Sequence, residues 1–277
     1  MYNLKIIQSG DRIEIYKINN YVVNESKIDE GHKLIDKLVE ELDNIEAAED
    51  ESKEKQSIKD RVRNLIDARN NIIRLIKCNP DMQTFITLTF AEEQDYKESK
   101  ASLNNFFNKL RRHYPGVKYL WVLEYGELHN RLHYHLLANI PIKIRLSSSN
   151  EKKSDQHKKL EQNFQKKYWN HGWVDIRSLN QEDNTNIALY VATYIVKSLE
   201  DLDLEGYRVY GYSRKTLNKP LQEKVYTTDN IEDILKKYSE YDIEFSNSYG
   251  IGYRDYKGKH IGTVSYFDLS KKGEIIL

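Results

Sequence analysis

The sequence predicts an α+β chain in which antiparallel strands alternate with amphipathic helices. Three observations carry that expectation. The runs "VKYLWVLEY" (117–125) and "LHYHLLANI" (132–140) are dense in β-branched and aromatic residues and flank a short polar turn, which is the signature of a hairpin. A third such run, "TFITLTF" (84–90), precedes them. Between the two regions, Leu103, Phe106, Phe107 and Leu110 fall at i, i+3, i+4 and i+7, the stripe of a helix with one buried face.

Residues 4–23 alternate around a Ser-Gly-Asp turn and predict an N-terminal hairpin. Residues 26–57 are charged and helix-favouring, with Leu34, Leu38, Leu42 and Ile45 on one face; they predict a peripheral helix and a linker. Val62, Ile66, Ile72, Ile73 and Ile76 mark a second amphipathic helix over 58–77, ended by Asn79 and Pro80. After the central hairpin come a lysine-rich helix over 151–169, a strand in "GWVDIRSL" and a helix over 184–199. The remainder holds the turn-rich "YRVYGYSRKTLNKP", a helix over 230–240 and short Tyr/Gly-rich strands. This divides the chain into an N-terminal hairpin with charged helix (1–57), a main domain (58–220) and a C-terminal extension (221–277) that packs on or extends it.

Composition narrows the function classes. The chain has 277 residues, 39% hydrophobic, enough for a sizeable core. It has neither an apolar run long enough to span a membrane nor a signal-peptide core, so a cytoplasmic protein is expected. One cysteine, Cys78, excludes an internal disulfide and a Cys-based zinc motif. No GxxxxGK[ST] loop occurs, so strand unwinding would need a separate helicase. Net charge is zero, which argues against wholesale coating of nucleic acid, but it is unevenly spread. From Lys27 to Asp60 twelve acids face six bases, while from Lys143 to Arg177 nine bases face four acids. The basic segment suits phosphate contacts as well as it suits a solvated helix face.

Two histidines sit in "RLHYHLL" (131–137). In a strand, residues two apart share a face, so His133 and His135 point the same way. If the hairpin closes around 126–131, Glu124 lies opposite His133, and cross-strand partners share a face. Two imidazoles and one carboxylate would then suit a divalent cation with positions left for water and substrate. A one-residue slip would replace Glu124 by Tyr125 or Glu127, and two half-exposed histidines packing on a sheet is the plainer account.

"ALYVATYIVKS" (188–198) predicts a two-faced helix. Taking Tyr190 as origin, Tyr194 lies at roughly 40° and Lys197 at roughly −20°, while Val191, Ala192 and Ile195 form the opposite, aliphatic stripe. A tyrosine hydroxyl, with a pKa near 10, becomes a nucleophile when a cation is close and the electrophile is polarised. A metal on the Glu124/His133/His135 patch would polarise a phosphodiester, and Lys197 would offset developing charge. The combination points to phosphoryl transfer to tyrosine.

These residues resemble, in order, the three motifs of rolling-circle replication initiators of the HUH endonuclease superfamily. "FITLTF" (85–90) resembles the first motif, His133-Tyr134-His135 the second, and "YVATYIVK" (190–197) the tyrosine helix of the third. "KYLWVLEYGE", "WNHGWVDI" (169–176) and "YGYSRKTLNKP" (210–220) resemble further stretches of phage and plasmid initiators. The resemblance implies an antiparallel sheet of about five strands with flanking helices, RRM-like, over residues 58–220. It also implies Mg²⁺ or Mn²⁺ held by Glu124, His133 and His135, with Tyr194 as nucleophile and Lys197 beside it. Tyr190 matches the first tyrosine of a two-tyrosine variant, although Thr193 stands where that variant often has lysine. The implied activity is nicking and joining of single-stranded DNA or an origin hairpin through a 5′-phosphotyrosyl intermediate. A host polymerase and helicase are the implied partners, in a prokaryotic host of a plasmid or phage. Relaxases usually place the tyrosine before the histidines and single-strand transposases are generally shorter, so an initiator fits better. A non-catalytic DNA-binding or regulatory domain on the same scaffold is the alternative of a different class. Thr87 and Thr89 are expected to line the DNA face. Arg214, Lys215 and Lys219 are expected to contact phosphates, and Trp121 and Trp173 to pack in the core.

Overall fold

The computed structural model of the chain describes residues 2–19, 52–125, 131–146, 152–178, 191, 207–254 and 260–273. The chain divides into a central unit, residues 60–218, and a terminal unit built from 1–59 together with 219–277. The terminal unit opens with strands β1 (Leu4–Ser9) and β2 (Arg12–Asn19). Helix α1 (Ser52–Lys77) leads into the central unit. That unit continues through β3 (Thr84–Phe90), α2 (Tyr96–His113), β4 (Tyr119–Tyr125) and β5 (Leu132–Ala138). It closes with α3 (Asp155–Tyr168), β6 (Gly172–Ser178) and β7 (Tyr210–Tyr212). The chain returns to the terminal unit with β8 (Leu221–Val225), α4 (Ile231–Lys236), β9 (Tyr241–Arg254) and β10 (His260–Lys271).

The fold is α+β, as expected, with an antiparallel five-stranded sheet ordered β6–β3–β5–β4–β7 in the central unit. Helices begin where the sequence supplies caps. Asp95 accepts the Glu98 N–H at 2.8 Å ahead of α2, and Ser154 accepts the His157 N–H at 3.2 Å ahead of α3. Arg111, Arg112 and His113 end α2, where cations complement the helix dipole. Period-2 alternation gives the sheet two faces. On one, Phe90 meets Trp169 edge-on at 4.9 Å, Tyr119 stacks on Phe107 at 3.9 Å, and the Tyr134 hydroxyl bonds that of Ser99 at 2.9 Å. Ile72, Leu75 and Ile76 of α1 and Phe164 of α3 join the same core.

A second five-stranded sheet, ordered β8–β1–β2–β10–β9, makes the terminal unit. Gly10, at φ 64°, supplies the positive dihedral that the tight β1–β2 turn needs. The two terminal segments, expected as separate appendages, are therefore one sheet. The C-terminal strands, expected to be short, include β9 of 14 residues and β10 of 12. The charged helix expected within 26–57 lies largely outside the described residues, as does the helix over 184–199 except for Val191. That residue is helical, 1% exposed, and part of the central core, which fits its place on the expected aliphatic stripe.

Candidate active site

The β4–β5 register sets the site. Glu124 pairs with His133 and Val122 with His135. Across β5 the rows continue, His133 to Thr89 and His135 to Thr87. Beyond β3 they reach Trp173 and Asp175 of β6. Alternation then puts Glu124, His133, His135, Thr87, Thr89, Trp173 and Asp175 on one face of the sheet. The register that brings Glu124 opposite His133 is the expected one, and the slipped alternatives through Tyr125 or Glu127 do not occur.

Glu124 and His135 are 8% and 6% exposed. His135 Nε2 lies 2.7 Å from Glu124 Oε2, and its Nδ1 lies 3.1 Å from Thr87 Oγ1. Its ring also stacks on Phe85, with centroids 5.7 Å apart. Thr87 thus orients a histidine, where the sequence suggested only a lining role. The His133 ring centre is 6.4 Å from that of His135. Burial, then the neighbouring His135, pushes the His133 imidazole below its ordinary pKa against the pull of Glu124. The neutral imidazole this favours is the form that ligates metals. Among the described residues no three His, Cys, Asp or Glu side chains stand in ligating geometry, because Glu124 turns to His135. The donor set nonetheless fits a divalent cation: one carboxylate and two imidazoles share a face, and the Thr87 hydroxyl backs His135 from its far ring nitrogen.

Asp175, in the same row as His135, is committed elsewhere. Burial raises its pKa, but hydrogen bonds from Arg177 and Lys153 outweigh this and hold it below the ordinary carboxylate range. Lys153 also reaches Glu161 Oε1 at 2.6 Å. Two members of the basic 143–177 run, Lys153 and Arg177, thus serve the fold's own carboxylates. Arg214 and Lys215 are exposed in the turn after β7, which is pinned where Ser213 Oγ accepts the Tyr119 N–H at 3.1 Å. That anchor is at the opposite end of β4 from Glu124, about 17 Å along the strand. Lys219 falls in the terminal unit. Tyr190, Tyr194 and Lys197 lie outside the described residues.

The two expected core tryptophans part company. Trp121 is buried beneath Lys100, whose Nζ stands 3.2 Å from the ring centre. Trp173 is 55% exposed. Residue type gave its burial tendency; the signal against it was its place, immediately after Gly172 at the start of an edge strand.

Residues 83–199 match a family of replication-associated proteins typified by ORF2. That span includes β3, the β4–β5 hairpin and the 190–197 tyrosine stretch. The replication-associated protein ORF2 of Spiroplasma virus 4 is 28% identical over 209 residues, 70% of this chain. The aligned region spans 59% of that relative's length. No solved structure matches the chain. The chain is therefore similar to a replication-associated protein of a Spiroplasma virus. Among the described residues no helix is long and apolar enough to cross a membrane.

Proposed function

We propose that the chain nicks and joins single-stranded DNA with a tyrosine nucleophile and a divalent metal, initiating and terminating rolling-circle replication. The observation that carries this reading is the shared face of Glu124, His133 and His135, inside a span similar to replication-associated proteins. Glu124, His133 and His135 would hold Mg²⁺ or Mn²⁺, which would supply Lewis acidity at the scissile phosphate. Thr87 fixes the orientation of His135. Tyr194 Oη attacks phosphorus in line; the Oη–P bond forms and the P–O3′ bond breaks. The phenol proton passes to solvent and the departing O3′ takes one up, leaving a 5′-phosphotyrosyl enzyme and a free 3′-OH. Lys197 offsets the charge that develops at the phosphate. The adduct retains the phosphodiester's energy, so a later 3′-OH rejoins the strand without ATP. Tyr190 serves as the second tyrosine where two alternate. In a prokaryotic cytoplasm, the 3′-OH would prime a host polymerase while a host helicase unwinds the duplex.

The test is incubation of the full chain with end-labelled single strands and Mn²⁺, followed by denaturing electrophoresis. A DNA–protein band that survives SDS, needs metal and disappears in Tyr194→Phe is the expected result. Persistence in Tyr190→Phe assigns one nucleophile, and partial loss in both variants an alternating pair. Binding without an adduct under any divalent metal would overturn the reading in favour of a non-catalytic DNA-binding domain.

A further inference from the structure

At the start of edge strand β6 the central unit carries an open cleft of about 460 Å³. Trp173 forms one wall, and Glu92, Gln94, Gln165, Asn170 and His171 line the rest. Trp173 stands apart from the other two tryptophans, Trp121 and Trp169, which are buried. Its position is built. A Cβ on Gly172 would sit 2.0 Å from the Thr89 carbonyl oxygen, so only glycine lets β6 begin flush against β3. The Trp169 indole N–H donates to that same carbonyl at 3.1 Å, and the Ala91 N–H donates to the His171 carbonyl at 2.9 Å. The exposed indole is thereby held in the row that runs through Thr89 and His133 to Glu124. Two strand spacings, about 10 Å, separate it from His133.

An exposed aromatic plane beside a polar cleft marks a ligand contact. The chemistry of the lining selects among ligands. Among the described residues that line it there is no lysine or arginine, and Glu92 would repel a phosphate. Amide side chains offer donors and acceptors together, which suits the edge of a neutral heterocycle. A flat ring stacked on indole and read at its edge by amides is how proteins hold an unpaired base. We propose that this cleft takes a nucleobase of the single strand, stacked on Trp173, close to the nucleotide whose phosphate faces Glu124 and His133. The inference rests on the nickase reading and adds the site that positions the strand.

The experiment titrates tryptophan emission of the full chain with mixed-sequence single-stranded DNA, in EDTA so that no cleavage intervenes. Emission should be quenched, and the quench should vanish in Trp173→Phe because the remaining tryptophans are buried. Trp173→Ala should weaken binding about tenfold or more, the scale of one lost base–aromatic stack, while Trp173→Phe keeps most of the affinity. Walking a single abasic residue along the strand should reveal one position of greatest loss in the wild type, and none in Trp173→Ala. Wild-type affinity in Trp173→Ala, or a quench that persists in Trp173→Phe, would overturn the inference and leave the nickase reading intact. No binding of any single strand by the wild type would overturn both.

Discussion

Both ring nitrogens of His135 are engaged, Nε2 by Glu124 and Nδ1 by Thr87. With Glu124 as acceptor, Nε2 carries the proton and Nδ1 accepts from the threonine hydroxyl. With Nε2 given to a metal, Nδ1–H donates to the same hydroxyl, because a hydroxyl serves in either sense. Glu124→Ala leaves a buried nitrogen unpaired and should cost about 1–3 kcal/mol in chemical denaturation. Glu124→Gln keeps an acceptor and should cost less, yet both variants should lose metal-dependent adduct formation. Nicking retained in Glu124→Gln would remove Glu124 from the ligand set. Thr87→Val should weaken Mn²⁺ binding about 10–100-fold by calorimetry, the usual effect of removing a group that orients a metal-binding histidine. Lys100 poses a different problem at the same scale. Burial, and then Arg208, push its ammonium down to about 7, while the face of Trp121 opposes the shift. A depressed lysine contributes stability that is fully present above its unfolded pKa and is lost as pH falls towards 7. Lys100→Met should therefore raise Tm most below pH 7, the advantage shrinking as pH climbs towards 10. A pH-independent difference in Tm would show that the ammonium is solvated after all.

At the scale of elements, β6 is an edge strand that the fold does not leave open. The Ile176 N–H donates to Glu161 Oε1 at 2.8 Å, and His157 Nε2 donates to the Ile176 carbonyl at 2.7 Å. Side chains of α3 thus occupy backbone groups that would otherwise template another strand. The other end of β6 depends on Gly172. Gly172→Ala forces β6 away from β3 and should cost about 1–3 kcal/mol, the usual penalty for an added methyl in a packed site. Wild-type stability by urea unfolding would show that β6 can slide without loss. The β4–β5 hairpin was legible in the sequence because two alternating runs around a short turn leave few registers, and one of them brings Glu124 to His133. Trp173 was not legible, since a strand pattern does not say which strand ends at the sheet's edge. Strand β7, three residues long, is too short to leave a pattern at all. The pairing of Lys153 and Arg177 with Asp175 and Glu161 was equally hidden, because composition counts charges without locating their partners.

At the scale of the molecule, the central unit is inserted between the halves of another sheet. Local patterns predicted strands at both ends of the chain, but periodicity is blind to which strands pair. Asn3 and Thr227, 224 residues apart, clasp each other: Asn3 Nδ2 donates to the Thr227 carbonyl at 2.8 Å and the Thr227 N–H donates to Asn3 Oδ1 at 2.9 Å. The cost of closing so long a loop grows only slowly with its length, so the insertion is thermodynamically tolerable. It makes the N-terminal hairpin dependent on the C-terminal strands. β1 pairs with β8 from Leu4↔Val225 to Gln8↔Leu221, and β2 pairs with β10 from Asn19↔Thr263 to Arg12↔Ser270. Leu4, Ile13 and Ile15 share their small core with Ile234 and Leu269. A chain ending at Asn218 would leave β1 and β2 as an isolated two-stranded hairpin, which is marginal in water. Hydrogen exchange should then show residues 4–19 losing their protection, while β3, β4 and β5, whose partners all lie within the central unit, keep theirs. Protection of 4–19 that survives the truncation would mean that the hairpin is held by contacts other than those of β8 and β10. Loss of protection across β3–β5 as well would mean that the central unit needs the terminal sheet in order to fold.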